Sequence, residues 1–243
     1  MRLTLILFAA AILLADDGVL LIPQVKTELP IGDQTVAIAV AGSVTPAGTP
    51  DLYKVTLNID LVDFAKHLTP LLKPQIDRAD QCGERIDLQE ATIVAAPPGA
   101  VATVHVHFEK WGCAKAFGKQ IVKRLVGGNA VAQVKFTPVV EFNRVRLESE
   151  VGDIQADGSL GEVLRSGSFG KAVREKIHKS LQSAVEKGTN WDATIPHALE
   201  EVAAFQTVAF TGGPPGLFGL SLSGQVHIQP DRLKTLMDEV KTR

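Results

Sequence analysis

Alternation of apolar and polar residues along several segments predicts half-buried β-strands. It is clearest in residues 53–61, 103–109 and 218–228, where apolar side chains recur at nearly every second position. Because alternation of this kind indicates one buried and one solvated face, we expect an antiparallel sheet with one wet face. Weaker strands are predicted at 34–41, 84–95, 130–137, 139–152 and 200–211.

A long amphipathic helix is predicted over residues 159–188. Ser159 and Glu162 have the spacing of a capping box, and Gly188 is a typical residue for a helix end. Between them apolar residues recur at intervals of three and four, while charged residues fill the other positions. Two further helices are predicted, one at 61–78, interrupted by Pro70 and Pro74, and a short charged one at 230–241.

The order of predicted elements suggests two similar β-β-α-β-β halves, at about 34–112 and 129–228, within a single domain of residues 16–243. Leu88-Gln89 precedes Pro97-Pro98-Gly99 by the same distance that separates Phe205-Gln206 from Pro214-Pro215-Gly216. In both places Pro-Pro-Gly suits the turn of a hairpin. Proline and glycine are also what turns favour generally, so duplication and chance similarity both remain open.

The N-terminus has the pattern of a secretory signal peptide. Arg2 is followed by an apolar run of about a dozen residues, and Ala15 precedes Asp16 and Asp17. We expect cleavage after Ala15, so that residues 1–15 are removed and the mature protein is periplasmic or secreted. A buried helix and a spanning helix are the alternatives, although the run is shorter than the ~20 residues that cross a bilayer.

Composition narrows the classes of partner. An apolar content of 45% supplies a real core, and 25 basic against 27 acidic residues leave a net charge of −2. Binding to a phosphate backbone requires a concentrated basic face, so we do not expect a nucleic-acid partner.

Two cysteines, Cys82 and Cys113, are predicted to form a disulfide because exported proteins fold in oxidising surroundings. Closing this loop would stabilise the fold by roughly 3.5 kcal/mol in the chain-entropy model. Two buried free thiols are the alternative. A metal pair is less well supported, since no second Cys or His lies at ligand spacing beside either cysteine.

Few residues suggest chemistry. His105 and His107 lie on one strand face, as a metal site would require, but a third ligand is not visible nearby and two solvated histidines fit as well. Ser168 lacks the Gly-x-Ser-x-Gly spacing of a nucleophile elbow, and no phosphate-binding loop occurs. We therefore expect a protein that is not an enzyme and that needs no cofactor or metal.

The run 157–167, DGSLGEVLRSG, followed by Val173-Arg174-Glu175-Lys176-Ile177 and framed by strands, resembles the bacterial, mostly uncharacterised branch of the TULIP superfamily, whose relatives include BPI-like and SMP-domain lipid carriers. Trp111-Gly112-Cys113 after a strand is similar to a feature of some members. The resemblance implies an α+β fold, in which a curved antiparallel sheet wraps around the long amphipathic helix and leaves an apolar groove. Its wall would be formed by Phe169, Val173, Ile177 and Leu181.

The function that this resemblance implies is non-catalytic binding of a lipid or other apolar small molecule in the cell envelope. A structural or interaction protein of the envelope, with a filled core, no ligand and a protein partner, is the alternative. An exported hydrolase is a third class and lacks a nucleophile constellation. The oligomeric state cannot be inferred from the sequence.

Overall fold

The computed structural model describes residues 13–14, 20–31, 34–49, 51–80, 82–116, 119–141, 144–165, 171, 175, 179, 193–194, 203–212 and 216–229. These residues form two antiparallel sheets and three short helices. The strands are β1 (Leu13–Leu14), β2 (Leu20–Ile31), β3 (Gln34–Pro46), β4 (Leu52–Asp60), β5 (Arg78–Ala79), β6 (Glu84–Ala96), β7 (Gly99–Ala116), β8 (Lys119–Glu141), β9 (Arg144–Ala156), β10 (Ala193–Thr194), β11 (Ala203–Gly212) and β12 (Phe218–His227). The helices are α1 (Val62–Lys66), α2 (Leu68–Ile76) and α3 (Gly158–Arg165).

Each sheet contains six strands. The first has the order β1-β2-β3-β4-β12-β11, and the second has the order β10-β9-β8-β7-β6-β5. Strand β11 packs against β8 and β6, so the edge of the first sheet lies on the second. The amide of Phe210 in β11 donates to the Pro98 carbonyl at 2.9 Å, which joins β11 to the turn between β6 and β7.

The predicted α+β fold, with a curved sheet wrapped around one long amphipathic helix, is wrong. The described residues are mostly β, and the three helices are short. Helix α3 covers the start of the segment 159–188, Lys171, Glu175 and Lys179 are also helical, and the other residues after 165 lie outside the described part. Periodicity identifies the buried face of a helix but not its packing partner, and here the inner faces of two sheets contribute most of the core.

The two hairpins that carry Pro-Pro-Gly are present, but the halves do not pair equivalently. The first sheet joins the β3–β4 hairpin to the β11–β12 hairpin, whereas the second joins β6–β7 to β8–β9. In the first sheet the two hairpins meet at β4 and β12, each the second strand of its hairpin. In the second sheet they meet at β7, a second strand, and β8, a first strand. Element order alone does not determine such pairing, because any strand with a buried face can serve as the neighbour.

Strand β8 continues through the residues where the sequence suggested a break. Pro138 lies beyond Phe136, where the pairing with β7 ends, so among the described strands only β9 borders β8 here, and proline is tolerated at such an edge. Gly128 allows α3 to approach closely, since a Cβ at this position would lie 2.9 Å from Cβ of Leu160. Proline and glycine therefore do not end the strand, although they usually do.

The start of α3 differs from the predicted capping box. The helix begins at Gly158, whose φ of 58° suits glycine. The hydroxyl of Ser159 donates to the carbonyl oxygen of Gly127 in β8 at 2.9 Å instead of capping the helix. This hydrogen bond, with buried Leu160 and Leu164, fixes α3 against β8.

Helix α2 protects the outer edge of β6 beyond the short strand β5, which pairs only with Arg85 and Ile86. The Thr69 hydroxyl accepts from the amide of Ala91 at 2.9 Å and lies 3.2 Å from its carbonyl oxygen. The amide of Leu88 donates to Oδ1 of Asp77, and the Leu88 carbonyl accepts from Nζ of Lys73. Residues 69, 73 and 77 are spaced by four and so lie along one face of the helix. Backbone groups beside the β6 bulge thereby find partners without another strand.

One hydrophobic core joins both sheets and all three helices. On β7 and β8 many of the side chains that face the core are small or medium in size and at most 2% exposed, among them Ala102, Val104, Ala130, Ala132 and Val134. The rings of Phe210 and Phe218 stack at 5.3 Å between centroids. Among the described residues, the side chains between the sheets therefore form one buried hydrophobic cluster.

Candidate functional site

The residues predicted to form the wall of an apolar groove cannot be placed. Phe169, Val173, Ile177 and Leu181 all lie outside the described residues. Their role as ligand contacts stays a prediction. The α+β fold from which the groove was inferred is wrong.

Cys82 and Cys113 form a disulfide, as the sequence predicts. Their Cα atoms are 5.4 Å apart, within the usual range for a bonded pair. The bond links the loop before β6 to the distal part of β7, where the amide of Trp111 also donates to the Gly83 carbonyl at 2.8 Å. A disulfide indicates an oxidising, non-cytoplasmic compartment.

The distal ends of β7 and β8 extend beyond their sheet as a two-stranded ribbon. We define this ribbon as residues 111–116 and 119–125, which pair with each other. Strand β6 pairs with β7 only as far as Lys110, and β9 pairs with β8 only from Ala130, so no other described strand borders the ribbon. At ~3.3 Å per residue the ribbon is about 20 Å long, and the loop that contains Cys82 and Gly83 lies along part of it.

Exposed apolar side chains concentrate on the ribbon. Of the five large hydrophobic residues exposed in the described part of the chain, three belong to it: Ile121 at 53%, Val122 at 44% and Leu125 at 61%. Leu125 is the extra residue of a β-bulge. A Cβ on Gly112 would lie 3.1 Å from its Cδ1, so Leu125 covers the backbone of Gly112. Apolar area that packing would normally remove from water thus stays accessible.

The ribbon is also strongly basic. It carries Lys115, Lys119, Lys123 and Arg124, and no acidic residue occurs between Glu109 and Glu141. Lys123 lies directly opposite Gly112, and alternation places Lys119 and Ile121 on the same face. We call the set Lys119, Ile121, Lys123 and Leu125 the basic-apolar face. Within the described residues, Lys119 and Lys123 have no ion-pair partner, and the basic-apolar face is therefore cationic.

A buried carboxylate anchors the base of the ribbon. Glu109 is 8% exposed, and its carboxylate accepts from the Trp111 indole and from Nη1 of Arg124, both at 3.0 Å. Arg85 Nη1 lies 3.8 Å away on the other side. Hydrogen bonds from Trp111 and Arg124 hold the pKa of Glu109 below its ordinary value, against the opposing effect of burial. The network joins β6, β7 and β8 at the point where the ribbon leaves the sheet.

The two histidines considered as metal ligands lie on the face of β7 that carries Glu109. Nδ1 of His107 is 2.8 Å from Oδ1 of Asn129, and its Nε2 is 3.5 Å from Oε1 of Glu109. His105 lies opposite Val131. No group of three or more His, Cys, Asp or Glu side chains in the described part of the chain is arranged to hold a metal ion.

A shallow depression of about 310 Å³ lies on the outer face of the first sheet. Its floor consists of small residues of β3 and β12, including Ala39, Ala41 and Gly219, and Leu217 forms an apolar rim. Asn58 and Asp60 supply polar groups, but Oδ1 of Asp60 already accepts from the amide of Val62 at 2.9 Å. The depression is open to solvent and is too shallow to enclose a ligand.

Sequence reasoning did not identify the ribbon. Alternation in β7 was recognised for residues 103–109 only, and β8 was expected to begin at residue 130. The signal that was missed is the long acid-free run after Glu109, in which lysines alternate with Ile121 and Leu125.

Comparison with known proteins adds no assignment. No model of a known protein family matches the chain, and a search of curated proteins finds no significant match. The similarity to the TULIP superfamily therefore stays a prediction. None of the helices in the described residues combines the length and apolar character that a membrane span requires.

Proposed function

We propose that this protein is a non-catalytic lipid-binding protein of the cell envelope, periplasmic or secreted, which contacts lipid through the β7–β8 ribbon. The observation that supports the proposal is the basic-apolar face. Interfacial binding elements combine apolar side chains, which enter the boundary between headgroups and acyl chains, with basic residues beside them. Ile121 and Leu125 provide the apolar part, and the neighbouring lysines provide the charge.

This mode of binding does not require a hollow protein. An enclosed carrier needs an apolar cavity, whereas the described residues between the sheets form one buried hydrophobic cluster. Docking at a lipid surface needs only a projecting element that is stiff enough to stay in place. The Glu109 network holds the base of the ribbon to the sheet, and the disulfide attaches Cys113 of the ribbon to the loop before β6. A hairpin without such support would be only marginally stable.

The apolar contribution can be estimated from exposure. Ile121 and Leu125 each retain more than half of their accessible surface, so burying what remains would contribute about 1 kcal/mol per residue. Together they would account for more than a tenfold change in affinity, since about 1.4 kcal/mol is a factor of ten.

The test is sedimentation of the purified protein with phospholipid vesicles. Replacing Ile121→Ser with Leu125→Ser should weaken binding by at least about tenfold. The matched control is Val94→Ser with Leu217→Ser, which removes two apolar residues, each 61% exposed, from outside the ribbon and should leave binding unchanged. The proposal fails if the wild type does not bind vesicles, or if both double variants lose equal affinity.

The alternative function, a structural or interaction protein of the envelope, is favoured by the continuous packed core. In that case the ribbon would contact a protein, and its lysines would prevent edge-to-edge pairing, a common use of lysine on open strands. Absence of vesicle binding, together with a wild-type mass that contains no lipid, would support this alternative.

A further inference from the structure

We infer that the ribbon recognises anionic phospholipid headgroups, so that the protein docks on negatively charged membrane surfaces and not on lipid in general. The inference rests on the proposed function and adds the class of lipid. The evidence for it is where the basic residues of the ribbon lie and whether they have ion-pair partners. These observations are separate from the exposure of the apolar residues.

The cations are segregated from the acidic residues of the protein. The chain as a whole has a net charge of −2, yet the ribbon carries four basic and no acidic residues. A weakly acidic protein is repelled slightly by an anionic surface in most orientations, so one basic projection selects the orientation in which it points at the membrane. Charge asymmetry of this kind orients the molecule as well as binding it.

The lysines of the basic-apolar face form no ion pairs with other described residues. Arg124 forms an ion pair with Glu109 at 3.0 Å and so helps to hold the base of the ribbon to the sheet. Lys119 and Lys123 have no carboxylate partner among the described residues, so their ammonium groups can exchange water for headgroup phosphates. A lysine at an anionic membrane surface contributes about a fivefold gain in affinity.

The geometry fits a planar surface better than a second copy of the chain. Two ribbons placed face to face would bring like charges together at Lys119 and Lys123, which is unfavourable between neighbouring strands. On a bilayer the same lysines lie at headgroup depth while Ile121 and Leu125 reach the acyl boundary, as the stems of Lys side chains permit. The occupant that satisfies both chemical features is an anionic lipid surface.

The experiment compares vesicles of phosphatidylcholine alone with vesicles that contain roughly one third phosphatidylglycerol, a lipid that gives the surface a negative potential. The full protein should bind the anionic vesicles at least about tenfold more tightly. Raising the salt concentration from about 0.05 M to about 0.5 M should remove most of that preference, because screening shortens the range of the interaction.

The variants separate charge from apolar contact. Lys119→Gln with Lys123→Gln should weaken binding to anionic vesicles about twentyfold and leave the weaker binding to phosphatidylcholine unchanged. The control, Lys26→Gln with Lys54→Gln, makes the same change in net charge at exposed positions of the first sheet and should have little effect. Circular dichroism and thermal unfolding establish that each variant is folded.

The possible results distinguish the two proposals. Equal binding to both kinds of vesicle, without salt dependence and without an effect of the Lys119 and Lys123 changes, would overturn the anionic preference while leaving lipid binding intact. An equal loss in both lysine variants would also overturn it, because the effect would then follow net charge instead of the ribbon. No binding to either kind of vesicle would overturn the proposed function itself.

Discussion

The indole N–H of Trp111 donates a hydrogen bond of 3.0 Å to Oε2 of Glu109, two positions earlier in the same strand. The bond spans the position where β7 passes the last residue paired with β6, next to the bulge at Leu125 on β8. Arg124 binds the other carboxylate oxygen from the neighbouring strand. A single buried carboxylate therefore ties the ribbon to the body of the protein.

Changing Glu109→Gln should make the protein less dependent on pH in the acid range. Stability from this carboxylate is present above its ordinary pKa of 4.5 and is lost as the pH falls through the lowered pKa of the folded state. The urea midpoint of the wild type should fall between neutral pH and about pH 3, and that of the variant should start lower but fall less. Glu148→Gln, in an exposed ion pair with Arg146, should retain the wild-type profile. If the urea midpoints of Glu109→Gln and the wild type fell equally with pH, the Glu109 carboxylate would not be a source of the pH-dependent stability.

Removing the disulfide by Cys82→Ser with Cys113→Ser should destabilise the protein by about 3.5 kcal/mol, because the unfolded chain regains the entropy of a closed loop. The variant should also bind vesicles more weakly, since the ribbon loses its attachment to the loop before β6. Urea unfolding and vesicle sedimentation measure the two effects, and reduced wild type serves as the control. Labelling of two free thiols in the unfolded, unreduced protein would show that the bond does not form.

Changing Thr69→Val should open the edge of β6. Valine keeps the shape of threonine but leaves the Ala91 amide without its acceptor, which costs about 1–3 kcal/mol for a part-buried group. Hydrogen exchange at Ala91 should accelerate, and Thr69→Ser, which keeps the hydroxyl, should stay close to the wild type. Unchanged exchange in the valine variant would mean that α2 does not protect this edge.

A larger side chain in the core tests whether the space between the sheets is filled. Ala132 is 1% exposed on the inner face of β8, so Ala132→Phe should destabilise the protein by about 1–3 kcal/mol through overpacking. The control Ala96→Phe, at an exposed position of β6, should be tolerated. Thermal unfolding gives the comparison. Tolerance of Ala132→Phe would indicate a hollow interior and would favour an enclosed ligand over surface binding.

Local patterns predicted most of the individual strands, because a strand with one buried face has apolar residues at every second position. The strand at 53–61 corresponds to β4, and those at 84–95 and 218–228 correspond to β6 and β12 within one or two residues. The helix at 61–78 is present as two pieces, α1 and α2. Strand β2 was not predicted, since its residues 20–31 lack regular alternation and include Pro23 and Pro30.

The sequence by itself determined the periodic elements, the two hairpins with Pro-Pro-Gly and the bonded cysteine pair, since each depends on residue type and near-neighbour spacing. Only the tertiary structure decided which hairpins share a sheet, that α2 covers the edge of β6 beyond the short strand β5, and that β7 and β8 extend past their neighbours to form a ribbon. The physical reason is that strand pairing and edge exposure depend on residues far apart in the chain. The residue pattern of one strand does not show where its neighbouring strand ends. For the same reason the exposure of Ile121 and Leu125 depends on where the strands beside β7 and β8 end, which the local pattern does not show.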